Sequence, residues 1–228
     1  MSTLDRRSSE GPKRPRTVRR SGVAMLAVLA TSFTQAHETW LMPADFTPEP
    51  GQSMEFELTS GMGFPDLGSG IDRRRVVESF LHQDGYGQAL VPSGATEGAL
   101  ELSAIPGPGL ACAWVRLRPR VLQIDEREDV EHYLEEIGAP ASVWSAWRER
   151  ENGTVWRESY SKLARSYVRG EREGDTVGQV ESCLEEASGA RFEILPLADP
   201  THLAVNEAVE LQVLFDGEPL AGQAVGLL

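Results

Sequence analysis

Residues 54–60, MEFELTS, alternate Met54, Phe56 and Leu58 with Glu55, Glu57 and Thr59. A period of two puts the three apolar side chains on one face of a strand and the carboxylates on the other, so the segment reads as a half-buried strand. TPEPGQ just before it supplies Pro and Gly for a turn. Similar short runs recur. RVVESFLHQDGYG is a second strand candidate ending at an Asp84-Gly85 turn, and AIPGPG precedes LACAWVRLRP, in which Ala113, Val115 and Leu117 alternate with Trp114, Arg116 and Arg118. Short strands punctuated by Gly and Pro point to an antiparallel sandwich, in which each apolar face is covered by a second sheet.

The period then lengthens. In EREDVEHYLEEIGAP, Val130, Tyr133, Leu134 and Ile137 fall at i, i+3, i+4 and i+7, acids fill the other face, and Gly138 and Pro140 end the helix. TVWRESYSKLARSYVRG reads as a second helix, with Trp156, Tyr160, Leu163 and Tyr167 as its stripe, Thr154 as its cap, and Arg165 and Arg169 near its C-terminal end. Between the two, Trp144 and Trp147 at helical spacing are expected to pack rather than to form a ligand platform. These residues make a helical insertion at about 125–169, and the acidic, Gly/Ser/Glu-rich 171–188 reads as a loop.

Beyond it the β pattern returns in RFEILPLADP and in AVELQVLF, whose Val209, Leu211, Val213 and Phe215 alternate ahead of an Asp216-Gly217 hairpin signal. VNEAVELQV can be laid over PGQSMEFEL with Asn206 opposite Gly51, two residue types that tolerate the left-handed conformation. The expected fold is therefore mainly β: an immunoglobulin-like β-sandwich over residues 37–188 with the helical insertion, then over 189–228 the start of a second immunoglobulin-like module. Two or three strands fit into that last segment, whereas a complete sandwich of this kind needs about seven, so the second module reads as truncated.

The amino terminus reads as an export signal. Residues 1–20 carry seven basic and two acidic residues, VAMLAVLA follows Ser21, and Thr34 and Ala36 stand at the small-x-Ala positions of a cleavage site. The Arg19-Arg20 pair allows a twin-arginine route, but the residues after it match the ordinary Sec pattern better. The apolar run is far shorter than the roughly 20 residues needed to cross a bilayer, so the mature protein is expected to be extracytoplasmic, periplasmic or beyond, and not membrane-spanning. Losing seven basic and two acidic residues takes the formal charge from −13 to −18. Nucleic acid is excluded as an expected partner, because that affinity is built on phosphate neutralisation by Lys and Arg. The two cysteines, Cys112 and Cys183, can pair in an oxidising compartment, although nothing in the sequence brings them together.

Cleavage after Ala36 would make His37 the first residue, with a free α-amino group beside its imidazole. Those two nitrogens form one chelate ring, and a further imidazole would complete a three-nitrogen site suited to Cu(II) or Ni(II). His82, His132 and His202 are the candidates for that second ligand, and none stands in an H-x-H or H-x-x-x-H pair. Enzyme signatures are absent from the sequence: no Gly-x-Ser-x-Gly, His-Glu-x-x-His, Cys-x-x-Cys or phosphate-binding Gly loop occurs, and no organic cofactor is expected. Two other readings stay open. One is a copper-binding amino-terminal histidine brace, with oxidative chemistry as in lytic polysaccharide monooxygenases; the other is a metal-free extracytoplasmic adaptor.

Taken in order, HETWLMP after the leader, SGMGFP, EDVEHYLEE, RESYSKLARSYV, FEILPLADPTHL and VELQVLFDGEPLAGQAV resemble a bacterial exported family of largely unknown function. Some members accompany nickel or cobalt uptake transporters as periplasmic components. The resemblance covers nearly the whole mature chain and implies a sandwich with a helical insertion, a second immunoglobulin-like module, and a non-enzymatic role beside a metal-uptake transporter of the inner membrane. Ni(II), Co(II) or Cu(II) at His37 is the site this combination predicts.

Overall fold

A computed structural model describes residues 38–150, 155–171, 182–185, 188–204, 206–223 and 225–226. Residues 1–36, where the sequence predicts a leader, and His37 lie outside the described residues. In chain order the elements are β1 (Glu38–Pro43), β2 (Met54–Gly61), β3 (Ser69–Gly70), β4 (Val76–Gln83), β5 (Tyr86–Ala89), β6 (Val91–Ala95) and β7 (Leu100–Ala104). β8 (Gly109–Leu117), β9 (Arg120–Ile124), α1 (Arg127–Glu136), α2 (Ala141–Arg148), β10 (Trp156–Tyr160) and β11 (Leu163–Gly170) follow. The last are α3 (Ser182–Glu185), β12 (Phe192–Pro196), β13 (Leu211–Phe215) and β14 (Glu218–Pro219).

Two antiparallel sheets form the sandwich. One runs β1-β2-β7-β6, with β3 also on β2; the other runs β11-β8-β4-β5. Met54, Phe56 and Leu58 of β2 and Leu100 and Leu102 of β7 meet Leu81 of β4, Ala111, Ala113, Val115 and Leu117 of β8, and Val168 of β11 in one buried core. The alternation of MEFELTS is realised from Met54 to Leu58; Thr59, expected on the outward face, is buried instead, its hydroxyl donating to the Gly98 carbonyl at 2.6 Å. The Asp84-Gly85 and Asp216-Gly217 turns are as expected too, each with positive φ at both positions (50° and 76°, 50° and 82°), the backbone of a type I′ hairpin. Gly51 and Asn206 also share the left-handed region, at 82° and 70°.

The insertion has its own small core. Val130, Tyr133 and Leu134 of α1 pack with Trp147 of α2 and Ile124 of β9, and Trp144 and Trp156 lie against them. Trp147 is fully buried, edge-on to Trp156 at 6.1 Å, so its role is packing. The Tyr133 hydroxyl donates to Glu158, which also accepts from Trp156 Nε1 at 2.9 Å. Ile137, the last position of the predicted stripe, is exposed.

The helix expected over residues 154–169 is not formed; the described part of this segment makes β10 and β11 instead. β10 pairs with β9, and β11 pairs with β8 over eight residues, from Leu163↔Arg116 to Gly170↔Gly109. The stripe of Trp156, Tyr160, Leu163 and Tyr167 suits a helix, but a second pattern of period two runs through the same residues. Ala164, Ser166, Val168 and Gly170 alternate inward and are small enough for close sheet packing. The sheet-ladder hydrogen bonds along β8 decide between them. The helical insertion is thus confined to α1 and α2.

Two sequence expectations about faces are also corrected. β8 is covered on its outward side except at the partly exposed Arg116: Trp114 by Phe80 at 5.4 Å and by His82, and Cys112 and Leu110 by Cys183 and Leu184. Cys112 and Cys183 form a disulfide that closes a separation of 71 residues. In the sheet β12-β13-β14, Leu195 and Leu214 face inward, whereas Phe192, Ile194, Leu211 and Phe215 are exposed at 38–43 %. The inward face includes Glu193, whose carboxylate accepts from Arg165 Nη2 at 2.9 Å and from the Ser188 N–H at 2.8 Å.

Arg169 and Asp199 form a further, partly buried ion pair, and Asp199 accepts from the Thr201 N–H at 2.8 Å. Burial alone would raise the Asp199 pKa, but the bonds from Thr201 and then the Arg169 guanidinium hold it below the usual carboxylate value.

Two outcomes are expected. Replacing both Cys112 and Cys183 by Ser frees a long loop in the unfolded chain, so urea denaturation should show a loss of about 4 kcal/mol. Because the folded pKa of Asp199 is lowered, the stability it contributes is present above its unfolded value of about 3.9 and is lost as pH falls through the folded value. Melting of Asp199→Asn across pH 2–6 should lack that part of the acid dependence.

Candidate functional site

β1 is the element on which the site expectations rest. Glu38 follows His37 and opens a six-residue ladder with β2, from Glu38↔Gly61 to Pro43↔Phe56. Ser60 Oγ donates to the Glu38 carbonyl at 2.7 Å, fixing the first turn of the ladder from the side-chain direction as well. Two residues on, Trp40 is 7 % exposed and meets Phe64 edge-on at 5.9 Å. Its indole lies across Gly61, where an added Cβ would come within 3.0 Å of the ring. A side chain at position 61 would therefore push against the Trp40 ring.

The three described histidines are spread over separate elements. His82 of β4 is opposite Cys112 and Gly87, and its ring stacks on Trp114 at 6.0 Å with an 11° interplanar angle. His132 is exposed on α1. His202 lies in the 3-10 turn Pro200–His202, with Nδ1 3.3 Å from Asp199 Oδ2, a carboxylate already bonded to Arg169 and Thr201. Among the described residues no group of three His, Cys, Asp or Glu side chains is placed to hold a metal ion. His37, the predicted ligand, lies outside the described residues.

A cavity of about 420 Å³ opens beside β1, where β11 and the 3-10 turn approach it. Trp40, Leu41, Phe46 and Phe64 make its apolar walls, and Tyr167 and Thr201 add hydroxyls. Burial raises the Tyr167 pKa, with Arg165 pulling the other way, so the phenol stays protonated at neutral pH. Among the described residues no carboxylate, imidazole or thiol lines the cavity. Its chemistry is that of a mainly apolar receptacle whose lining also includes Arg165, Thr47 and Ser166. Sequence reasoning missed it because Arg165 and Tyr167 were assigned to a helix; the alternation of small residues from Ala164 to Gly170 was the signal that would have turned them toward β1.

No curated protein and no solved structure matches this chain. The profile of one family, described as a domain of unknown function (DUF4198), matches residues 34–227, which spans both sheets of the sandwich, the insertion and the β12-β13-β14 sheet. The chain belongs to this DUF4198 family.

Proposed function

We propose that the mature protein is an exported, non-enzymatic binding protein that handles nickel or cobalt beside a metal-uptake transporter of the inner membrane. His37 is the ligand, through its α-amino and imidazole nitrogens. The observation that carries this reading is the anchoring of β1: a chelate at residue 37 would hang from a strand whose next residues are laddered to β2 and whose Trp40 is buried. A ligand tethered to a rigid strand loses less freedom on binding than one on a loose tail. The Cys112–Cys183 disulfide supports an oxidising compartment, hence export. Among the described residues no helix is long and apolar enough to cross a membrane.

A second reading, a metal-free adaptor, is favoured by the exposed apolar face of Phe192, Ile194, Leu211 and Phe215. The copper-brace reading draws on the position of His37 alone, and needs a second imidazole beside it.

Calorimetric titration of the protein beginning at His37 with Ni(II), Co(II) and Cu(II), beside His37→Ala and a form with one added amino-terminal Gly, tests the proposal. Binding should weaken by roughly 100-fold or more in both altered forms, since each destroys the chelate. Equal affinity in all three removes His37 as a ligand, and no binding in a folded protein leaves the adaptor reading. A three-nitrogen Cu(II) spectrum with reductant-dependent oxidation would instead favour the brace.

A further inference from the structure

At one end of the sandwich three chain connections converge, and each brings a cation. Arg75 closes the 3-10 turn Arg73–Arg75, and its carbonyl accepts from the Arg118 N–H at 2.7 Å. The Leu117 N–H donates to the Lys162 carbonyl at 2.9 Å. Arg120, at the start of β9, is opposite Tyr160 of β10, over whose ring the Lys162 ammonium lies at 6.0 Å. Backbone hydrogen bonding around the corner between β8 and β9 thus gathers Arg75, Arg118, Arg120 and Lys162 in a chain whose formal net charge is −13.

Of the carboxylates near these arginines, Asp72 and Glu78 are bonded to other guanidinium groups, and Asp72 acts on Arg75 only as a minor favourable charge. Asp72 is clamped by Arg74, with Oδ2 2.6 Å from Nη2, and the Arg74 bonds hold its pKa down to about 2. Glu78 takes Arg116 at 2.6 Å. Glu38 is felt by Lys162 as a weaker, favourable charge. Among the described residues no carboxylate pairs with Arg75, Arg118 or Arg120, and Arg75 Nε is buried without a hydrogen-bond acceptor. Burial and then the Arg120 charge lower the Arg75 pKa; burial and then Arg75 lower that of Lys162. A purely solvated basic face would let these side chains swing apart. Here Lys162 lies against an aromatic ring, Arg75 is half-buried, and each cation disfavours the next.

We propose that this corner binds a phosphate group, held by the guanidinium groups of Arg75 and Arg120 and the ammonium of Lys162. A dianion answers more than one of these cations at once, and guanidinium forks match the spacing of phosphate oxygens. The acids elsewhere on the surface are screened beyond about 8 Å at physiological ionic strength, so the local positive field persists in an acidic protein. The phosphate is either free in solution or the headgroup of an anionic phospholipid.

The test uses the mature protein at constant ionic strength, with inorganic phosphate titrated against chloride and followed by melting temperature and amide chemical shifts. Phosphate should raise the melting temperature and shift amides near residues 75, 118, 120 and 162. Arg120→Gln, at an exposed strand position, should melt no lower than the parent in chloride, since one repulsive charge is gone, and should bind phosphate roughly tenfold or more weakly. Arg75→Gln should do likewise, and Arg73→Gln on the same turn should bind as the parent does. Vesicles of phosphatidylglycerol, with phosphatidylcholine vesicles as control, separate the two sources: co-sedimentation that Arg120→Gln abolishes assigns the headgroup, and phosphate binding without co-sedimentation assigns a soluble phosphate. Identical melting in phosphate and chloride with no vesicle binding overturns the proposal, as does an unchanged phosphate response in Arg120→Gln.

Discussion

β8 lies between β4 and β11, and almost everything else in the molecule is positioned by what its two faces carry. Its inward residues Ala111, Ala113 and Val115 are small, which lets the opposing sheet approach until Phe56, Leu58 and Leu102 fill the space between the layers with no exposure at all. Close-packed interiors leave little room for a change of volume, so small residues on one sheet and large ones on the other are a matched set. The outward face carries Cys112, and its covalent bond to Cys183 draws Leu184 over Leu110 and Cys112. A strand that a simple alternation would leave half-wet is therefore buried on both sides except at Arg116.

The same strand explains where the sequence was legible and where it was not. MEFELTS was readable because its large apolar and charged residues alternate without ambiguity, and α1 because Val130, Tyr133 and Leu134 have no competing period. β11 was not, because its buried side is Ala164, Ser166, Val168 and Gly170, side chains too small to register as a hydrophobic face, while its larger residues happened to fit a helical stripe. At Gly170 the reason for smallness is visible: a Cβ there would come within 2.5 Å of the Gly107 carbonyl oxygen. The candidate site was legible only as far as β1. The cavity residues Tyr167 and Thr201 reach β1 through the pairing of β11, which local pattern could not supply. The family resemblance was right at the level of a domain of unknown function, and the metal chemistry attached to it remains the proposal tied to His37.

The basic corner shows why overall charge is a poor guide to local chemistry. An excess of acids argues against partners that need a broad positive surface, yet a few cations brought together by backbone hydrogen bonds make a local field of the opposite sign. Arg75, Arg120 and Lys162 are far apart in sequence and look unremarkable in composition. They converge because the 3-10 turn, the β8 to β9 corner and the β10 to β11 connection are bonded to one another. Their number on one corner could not be read from any contiguous stretch.

The sheet β12-β13-β14 poses the opposite problem, since its apolar alternation was legible but its orientation was not. Hydrophobicity alone would turn Phe192, Ile194 and Phe215 inward. Instead Glu193 faces Arg165, a pair with side chains only 2 % and 8 % exposed. Turning the strand over would strand Arg165 in the interior without this carboxylate, and an unpaired buried charge is costlier than the partial exposure of several apolar side chains. Arg169 with Asp199 acts in the same sense four residues further along β11. The face that Phe192, Ile194, Leu211 and Phe215 present is thus fixed by ion pairs on the reverse side of the sheet, and its apolar character is a consequence of where β11 placed its two arginines.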